Sequence, residues 1–458
     1  MPINKKYLFS CILLSLMLCF SQIRGSSVLI LACLGAYLVM LGWACAHHMT
    51  LPVLLYFMPW SAIMRLSPES YSFYTFGLVL SYGISMFRGH LQLKQYALIS
   101  GIVILFMTLL SKLLDGSRLE FSYIAFLMML VVLPAVKQES GMGTYDFYQL
   151  TVFYSLGVII AALCALQFAG YSNIARYIRV DQYNVVLRRC GFYGDPNFYT
   201  AQITAALGGC MLLMLRETRR SRTLFLMILA FCLVYCGALS GSKSFALITV
   251  LIVLIWLYSL LRLRNRPWLK AVLILALAGA VVVVATSELF RDLIDVIVVR
   301  FSRTTDLDSF TTNRIALWKI YFNELFTDTK VFFLGRGFTN VKINNSASHN
   351  TIIQMFHQFG ILGAPFLIYW ISCFLRDAPA GWRSKGETRR YALVVLIGVY
   401  LPWLAIDILF FDDFFLLQWY AFMAMYETSQ PKKKTLPRYP VPPVTEPTGG
   451  TLRNTIHE

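Results

Sequence analysis

Two kinds of side chain in this sequence could do chemistry together: cations suited to phosphate, and imidazoles or carboxylates suited to moving a proton. They gather in the stretch Arg300–Gly363, the longest interruption between apolar runs. It holds Arg314, Arg336, His349 and His357, with a Gly335-Arg336-Gly337 turn among them. Further candidates lie outside it. Arg188 and Arg189 precede Asp195-Pro196-Asn197, Lys243 sits in the polar link Leu239–Ser244, and Asp407, Asp412 and Asp413 lie among phenylalanines. Guanidinium groups bind phosphate oxygens through two parallel hydrogen bonds. Imidazole or a carboxylate accepts a proton from a hydroxyl.

The elements that would carry these groups are membrane spans. Hydrophobic residues make up 58% and charged residues 14% of the 458 positions. That is too apolar for a water-soluble domain. Apolar runs recur near residues 7–22, 27–46, 50–66, 71–87, 95–113, 120–136, 147–169, 197–215, 223–239, 244–261, 271–288, 351–374, 391–410 and 413–426. Most are long enough to cross a hydrocarbon core of about 30 Å as a helix. The third and the last are short or interrupted by proline, and read as re-entrant or kinked. The expected fold is all-α: a polytopic transmembrane helical bundle of about 12–14 spans. Residues 1–426 form this unit, and 427–458, rich in Pro, Lys and Thr, read as a disordered cytoplasmic tail.

The formal net charge of +17 does not point to nucleic acid. Most of the surplus lies in short tracts between spans: Arg216 to Arg222, Arg262 to Lys270, Arg383 to Arg390, and Lys432 to Lys434. This is the positive-inside pattern. With Lys5 and Lys6 it places both termini inside, and residues 170–196 and 288–350 outside. Nine of the ten cysteines lie in apolar spans, with Cys190 the exception, so neither a disulfide framework nor a zinc site is expected.

Within the long loop, Ile315, Trp318, Phe322 and Leu325 recur at helical spacing after Thr311-Thr312. A short amphipathic helix is expected, with Arg314 in its first turn. An arginine there opposes the helix dipole unless an anion is near, or unless it pairs with Asp306 or Asp308. Arg188 and Arg189, taken alone, read first as interface anchors and second as pyrophosphate ligands. Lys243 reads as a phosphate contact or an anchor. Asp195 and Asn350 are expected helix caps. The three aspartates are expected to find partners among the basic groups. His349 opens a span and shares the outer layer with the arginines. His357 lies about 12 Å deeper along the same helix, and is expected to be structural.

Five ordered motifs carry a resemblance. They are Arg189-Cys190-Gly191 leading to Asp195-Pro196-Asn197, then Leu239-Ser240-Gly241-Ser242-Lys243-Ser244, then Asn313-Arg314 with Trp318. Gly335-Arg336-Gly337 follows, and then His349-Asn350 with Gly360 and Gly363. The order resembles that of the O-antigen ligase and O-antigen polymerase superfamily of bacterial envelope glycosyltransferases. The motifs cover Arg188 to Gly363, and the flanking spans match by topology. The resemblance implies a GT-C-like bundle in the bacterial cytoplasmic membrane, with its active site on the extracytoplasmic face. It implies an undecaprenyl-pyrophosphate-linked glycan donor, a glycan or lipid acceptor, and no cofactor or metal. It assigns Arg189 and Arg314 to the pyrophosphate and His349 to the acceptor hydroxyl. Arg188, Arg336, Asn197, Asp412 and Asp413 complete the expected substrate contacts, with Lys243 where the family often has arginine. The expected activity is polymerisation of repeat units. Ligation of a finished glycan is the near alternative, and a flippase of lipid-linked sugars a remote one. Membrane lipids and other polysaccharide assembly proteins are the expected partners, and nucleic acid is not.

Overall fold

Apolar stretches of this length fold as helices because hydrocarbon offers backbone groups no other partner. The computed structural model describes residues 3–88, 93–139, 146–178, 180–183, 186–263, 266–272, 314–339, 342–343, 346–378, 387–410 and 412–429, with single positions 274, 298, 302 and 311. The first half comprises α1 (Lys5–Arg24), α2 (Ser27–Ala46), α3 (Thr50–Phe57) with a 3-10 turn to Trp60, α4 (Phe73–Arg88), α5 (Gln95–Asp115), α6 (Phe121–Glu139), α7 (Phe147–Gln167) and the short α8 (Ser172–Ala175). A hairpin follows, of β1 (Val180–Tyr183) and β2 (Val186–Arg189). Next come α9 (Pro196–Arg216), α10 (Arg220–Ala238) and α11 (Lys243–Arg262). The last described helices are α12 (Arg314–Thr327), α13 (Thr329–Leu334), α14 (Thr351–Arg376), α15 (Glu387–Tyr400) with a 3-10 turn to Leu404, and α16 (Asp413–Ser429).

Eight of these helices are long and apolar enough to cross a membrane: α1, α2, α5, α7, α9, α10, α11 and α14. The protein is therefore a multi-pass helical membrane protein. The apolar runs near 50–66, 71–87, 120–136 and 391–410 yield shorter apolar helices, fewer full spans than their hydropathy suggests. Every residue of α3 is buried against protein, so that helix is an internal element and need not match lipid thickness. The run 271–288 lies almost wholly outside the described residues. At the C-terminus the helix continues past residue 427, where a disordered tail was expected. Arg216 holds it there, with Nε 3.2 Å from Glu427 and Nη1 donating to the Thr428 carbonyl at 3.1 Å. All ten cysteines are free thiols.

α9 is the central pillar. Its apolar stretch is 94% buried, and its middle is built from small residues, Thr204, Ala205, Ala206, Gly208 and Gly209. Small residues let backbones approach closely where lipid gives no hydrophobic drive for helix pairing. A Cβ on Gly398 of α15 would lie 2.3 Å from the Thr204 carbonyl, and one on Gly208 would lie 2.8 Å from the Val394 carbonyl. Thr204 Oγ1 also donates to the Gly398 carbonyl at 2.8 Å. α14 is broken at Gly360, whose φ of 64° no β-branched residue adopts comfortably. α13 packs into that break, where a Cβ would meet the Phe333 carbonyl at 2.2 Å.

Because the helices alternate in direction, one end of the bundle collects the N-termini of α9, α11, α14 and α16 and the 405–412 segment. The opposite end carries the basic tracts near Arg216 and Arg262.

Gly398→Val is expected to force α9 and α15 apart, an overpacking cost of about 1–3 kcal/mol. The readout is the apparent melting temperature of the detergent-solubilised protein, which should fall by several degrees. An unchanged value would show that α15 is not seated as described.

Candidate functional site

The β1–β2 hairpin decides which of two neighbouring arginines reaches the interior. Asp181 pairs with Arg188 and Val180 with Arg189, so the two arginine side chains leave opposite faces of the hairpin. Arg188 is buried, donates from Nε to the Ser240 carbonyl at 3.0 Å, and lines a cavity of about 740 Å³. Arg189 turns instead to a narrow crevice beside Cys190, Tyr199 and Leu239. The arginine in the cavity is thus Arg188, not the Arg189 assigned by the motif. Composition and spacing are blind to that one-residue alternation.

Four helices begin at this cavity. Asp195 caps α9, with Oδ1 accepting from the Asn197 and Phe198 amides at 2.7 and 3.3 Å, and Pro196 occupies the first turn. Asn197 Oδ1 accepts from Ser242 Oγ and Ser244 Oγ at 3.0 and 3.2 Å, which ties the start of α9 to the start of α11. Lys243 is the first residue of α11 and Arg314 the first of α12. Asn350 caps α14, accepting from the Ile352 and Ile353 amides, and His349 stands just before it. Asn197, Lys243, Arg314 and His349 all line the cavity. Each helix N-terminus carries about half a positive charge. With Arg188, Lys243 and Arg314, the lining is strongly cationic. The lining also has an apolar part: Leu247 and Ile248, one turn along α11 from Lys243, and Leu401 and Leu404 from the 3-10 turn. A cavity lined by both cations and aliphatic side chains suits an anionic amphiphile.

Arg314 is the most telling cation. Its guanidinium makes no ion pair or hydrogen bond with the described residues. Burial pulls its pKa below the ordinary arginine value, Arg188 adds to the fall, and Asp195 and Asp407 oppose it from longer range. The expected partners Asp306 and Asp308 lie outside the described residues. A half-buried guanidinium whose donors have no partner among the described residues suits an anion.

His349 is held by its backbone. Its φ is 49°, in the left-handed region that non-glycine residues seldom occupy. Asp407 stabilises the turn: Oδ2 accepts from the His349 amide at 2.7 Å, and Oδ1 accepts from the Asn350 amide at 3.0 Å and from Ser348 Oγ. The imidazole makes no hydrogen bond with the described residues, and it lines the cavity. Strained residues held this way cluster at functional sites. In the sequence, Asp407 looked like Asp412 and Asp413, and nothing separated the one that supports His349.

α12 is clamped over the same turn. Trp318 Nε1 donates to the Ser348 carbonyl at 3.0 Å, and the Tyr321 hydroxyl donates to the Ser346 carbonyl at 2.8 Å. Burial pushes the Tyr321 phenol up to about 12. The buried face of α12 runs through Tyr321 and Leu325, whereas Phe322, expected to be buried, is exposed. Tyr321 takes its place because its hydroxyl reaches a carbonyl that phenylalanine could not satisfy. His357 is buried as expected, with Nε2 2.8 Å from the Tyr321 carbonyl.

Three expected ligand contacts lie elsewhere. Arg336 does not line the cavity. It pairs with Glu324, and its amide donates to the His357 carbonyl at 2.8 Å, docking the glycine-flanked turn onto α14. Asp412 accepts from Thr75 Oγ1 at 2.6 Å. Asp413 accepts from the Tyr193 hydroxyl and from Gln202 Nε2 at 2.9 Å. Neutral donors satisfy both carboxylates, where basic partners were expected, since a hydroxyl or amide also serves an ionised carboxylate.

Binding of farnesyl pyrophosphate, an anionic amphiphile, tests this cavity. Arg314→Gln and Arg188→Gln should each weaken it about 10- to 100-fold, the loss of one charge-assisted contact. Arg189→Gln should leave it within about twofold. Isothermal titration of the purified protein distinguishes these, and equal losses at Arg188 and Arg189 would contradict the alternation.

No protein-family model matches the chain, and no curated protein matches it.

Proposed function

We propose that this chain is a metal-independent glycosyltransferase of the bacterial cytoplasmic membrane. It joins undecaprenyl-pyrophosphate-linked glycan repeat units into a surface polysaccharide, on the extracytoplasmic face. One observation carries this reading: a single cavity is lined by Arg188, Lys243, Arg314, the N-termini of four helices, the apolar side chains Leu247, Ile248, Leu401 and Leu404, and His349. The cations suit a pyrophosphate, the leucines suit the first isoprene units, and His349 suits a hydroxyl nucleophile. The order of motifs adds its resemblance to O-antigen polymerases and ligases.

The chemistry follows from these groups. The acceptor hydroxyl oxygen attacks the anomeric carbon and its proton passes to His349. The bond from that carbon to the pyrophosphate oxygen breaks, with inversion of configuration. Arg314 and Arg188 stabilise the charge that collects on the departing pyrophosphate. Asp407 fixes the backbone that aims the imidazole. Ligation of a finished chain to a lipid or cell-wall acceptor uses the same cavity and differs only in the acceptor.

Two experiments test the reading. Asn323→Cys, exposed on α12, should react with an impermeant thiol reagent in intact cells; labelling only after permeabilisation would put the cavity on the wrong side. Cells expressing His349→Ala should lose surface polysaccharide and accumulate single repeats on the lipid carrier, and the purified variant should still bind farnesyl pyrophosphate. Accumulated polymer on the carrier would favour ligation, and normal polysaccharide would sink the role of His349.

A further inference from the structure

The loop that lines the cationic cavity has a second face. Asp195, Pro196 and Asn197 line the first cavity, whereas the preceding Phe192, Tyr193 and Gly194 line a separate one of about 490 Å³. Gly194 and Asp195 are consecutive, with Cα atoms about 3.8 Å apart. The two cavities therefore stand back to back across one strand of chain, at the same end of the bundle.

The second cavity is also cationic. Arg65 and Arg176 line it from opposite segments, with Tyr177 beside them. Neither arginine forms an ion pair with a carboxylate among the described residues. Arg65 donates from Nη1 to the Pro68 carbonyl at 3.1 Å, but its buried Nε has no hydrogen-bond partner. Arg176 lies 5.2 Å over the Tyr177 ring and is otherwise solvent-exposed. Asp412 feels the charge of Arg65, but it already accepts from Thr75.

These groups are fixed in place. Gln22 Nε2 from α1 donates to the Ile63 and Arg65 carbonyls at 2.7 and 2.9 Å, pinning the segment that carries Arg65. Asn173 Nδ2 donates to the Ile23 carbonyl at 3.1 Å, pinning α8 and the adjacent Arg176 to the same helix. The Tyr193 hydroxyl is held by the buried Asp413. Two arginines on pinned backbone segments, with Tyr177, Phe192 and Tyr193 in the same lining, suit a ring-shaped ligand that bears an anion. The forks bind the anion and the aromatic faces stack on C–H groups.

We infer that this second cavity binds an acidic sugar, carrying a carboxylate or phosphate, in the glycan that the neighbouring cavity processes. The assignment of the ligand as a glycan rests on the proposed glycosyl transfer. The geometry makes the second cavity a specificity subsite, one loop away from the reacting bond. Arg65 and Arg176 would then select the polymer's composition without taking part in the displacement.

Binding of trigalacturonic acid to the full-length protein in phosphatidylcholine nanodiscs tests this, with neutral galactotriose as the comparison. The acidic trisaccharide should bind, and more weakly as salt rises, while galactotriose binds at least about tenfold less well. Arg176→Gln, at an exposed position that does not endanger folding, should weaken acidic binding about tenfold, as should Arg65→Gln. Arg314→Gln should not alter it. Equal binding of both trisaccharides, or loss only in Arg314→Gln, would overturn the subsite. Phosphatidylglycerol in the nanodisc should leave trigalacturonate binding intact; full competition would make the site a lipid-headgroup site and overturn the glycan assignment. The readout needs no turnover, so its failure is separable from that of the transferase reading. Acidic binding through Arg65 and Arg176 in a protein without transfer activity would retain the site and reject the transferase.

Discussion

Four helices begin at one cavity, and their like-signed ends repel. Each N-terminus contributes about half a positive charge, and Arg188, Lys243 and Arg314 add full ones. Such a cluster does not assemble unless something offsets it. Asp195 and Asp407 do so, each as a hydrogen-bond acceptor for backbone amides and as a counter-charge felt by Arg314. Their charge is incomplete compensation. Among the described residues, what remains is a field that favours an incoming anion, and a guanidinium without a paired donor.

The cavity keeps its shape because the helices that bear it cannot slide. α9 supplies the mechanical reference, since its small residues bring α15 to backbone contact. α15 in turn ends in the 3-10 turn that lends Leu401 and Leu404 to the cavity, and the next segment carries Asp407. A chain of contacts thus runs from helix packing to the backbone of His349. Asn197 adds a lateral tie, with one side-chain oxygen serving serines on α11. These links make the ligand cavity an outcome of helix spacing as much as of the residues that face it.

Much of the fold was legible in the sequence. The caps Asp195 and Asn350 stand where their side chains predicted, because capping is a local interaction. The apolar runs predicted helices, and the polar end that collects the candidate residues follows from their order. The limits were also physical. Hydropathy cannot tell a lipid-facing span from α3, which is apolar because protein surrounds it. Helical spacing could not choose Tyr321 over Phe322, since the choice depends on a carbonyl from a distant turn. Arg336 carried a motif's signal, yet Glu324 had already engaged it. Of the three aspartates, only a folded structure shows that Asp407 holds the histidine turn while Asp413 holds Tyr193.

The hairpin before α9 has one more consequence, which concerns how such a chain can change over generations. Because successive strand residues face opposite sides, inserting or deleting one residue within β2 would exchange Arg188 for Arg189 at the cavity. Charge, composition and even the arginine pair would be preserved. Having two arginines in succession makes that slip tolerable: whichever residue turns inward, a guanidinium arrives. The doubled arginine reads as insurance against frameshifts of register, and related chains could differ in hairpin length by odd steps while keeping the same cation in place.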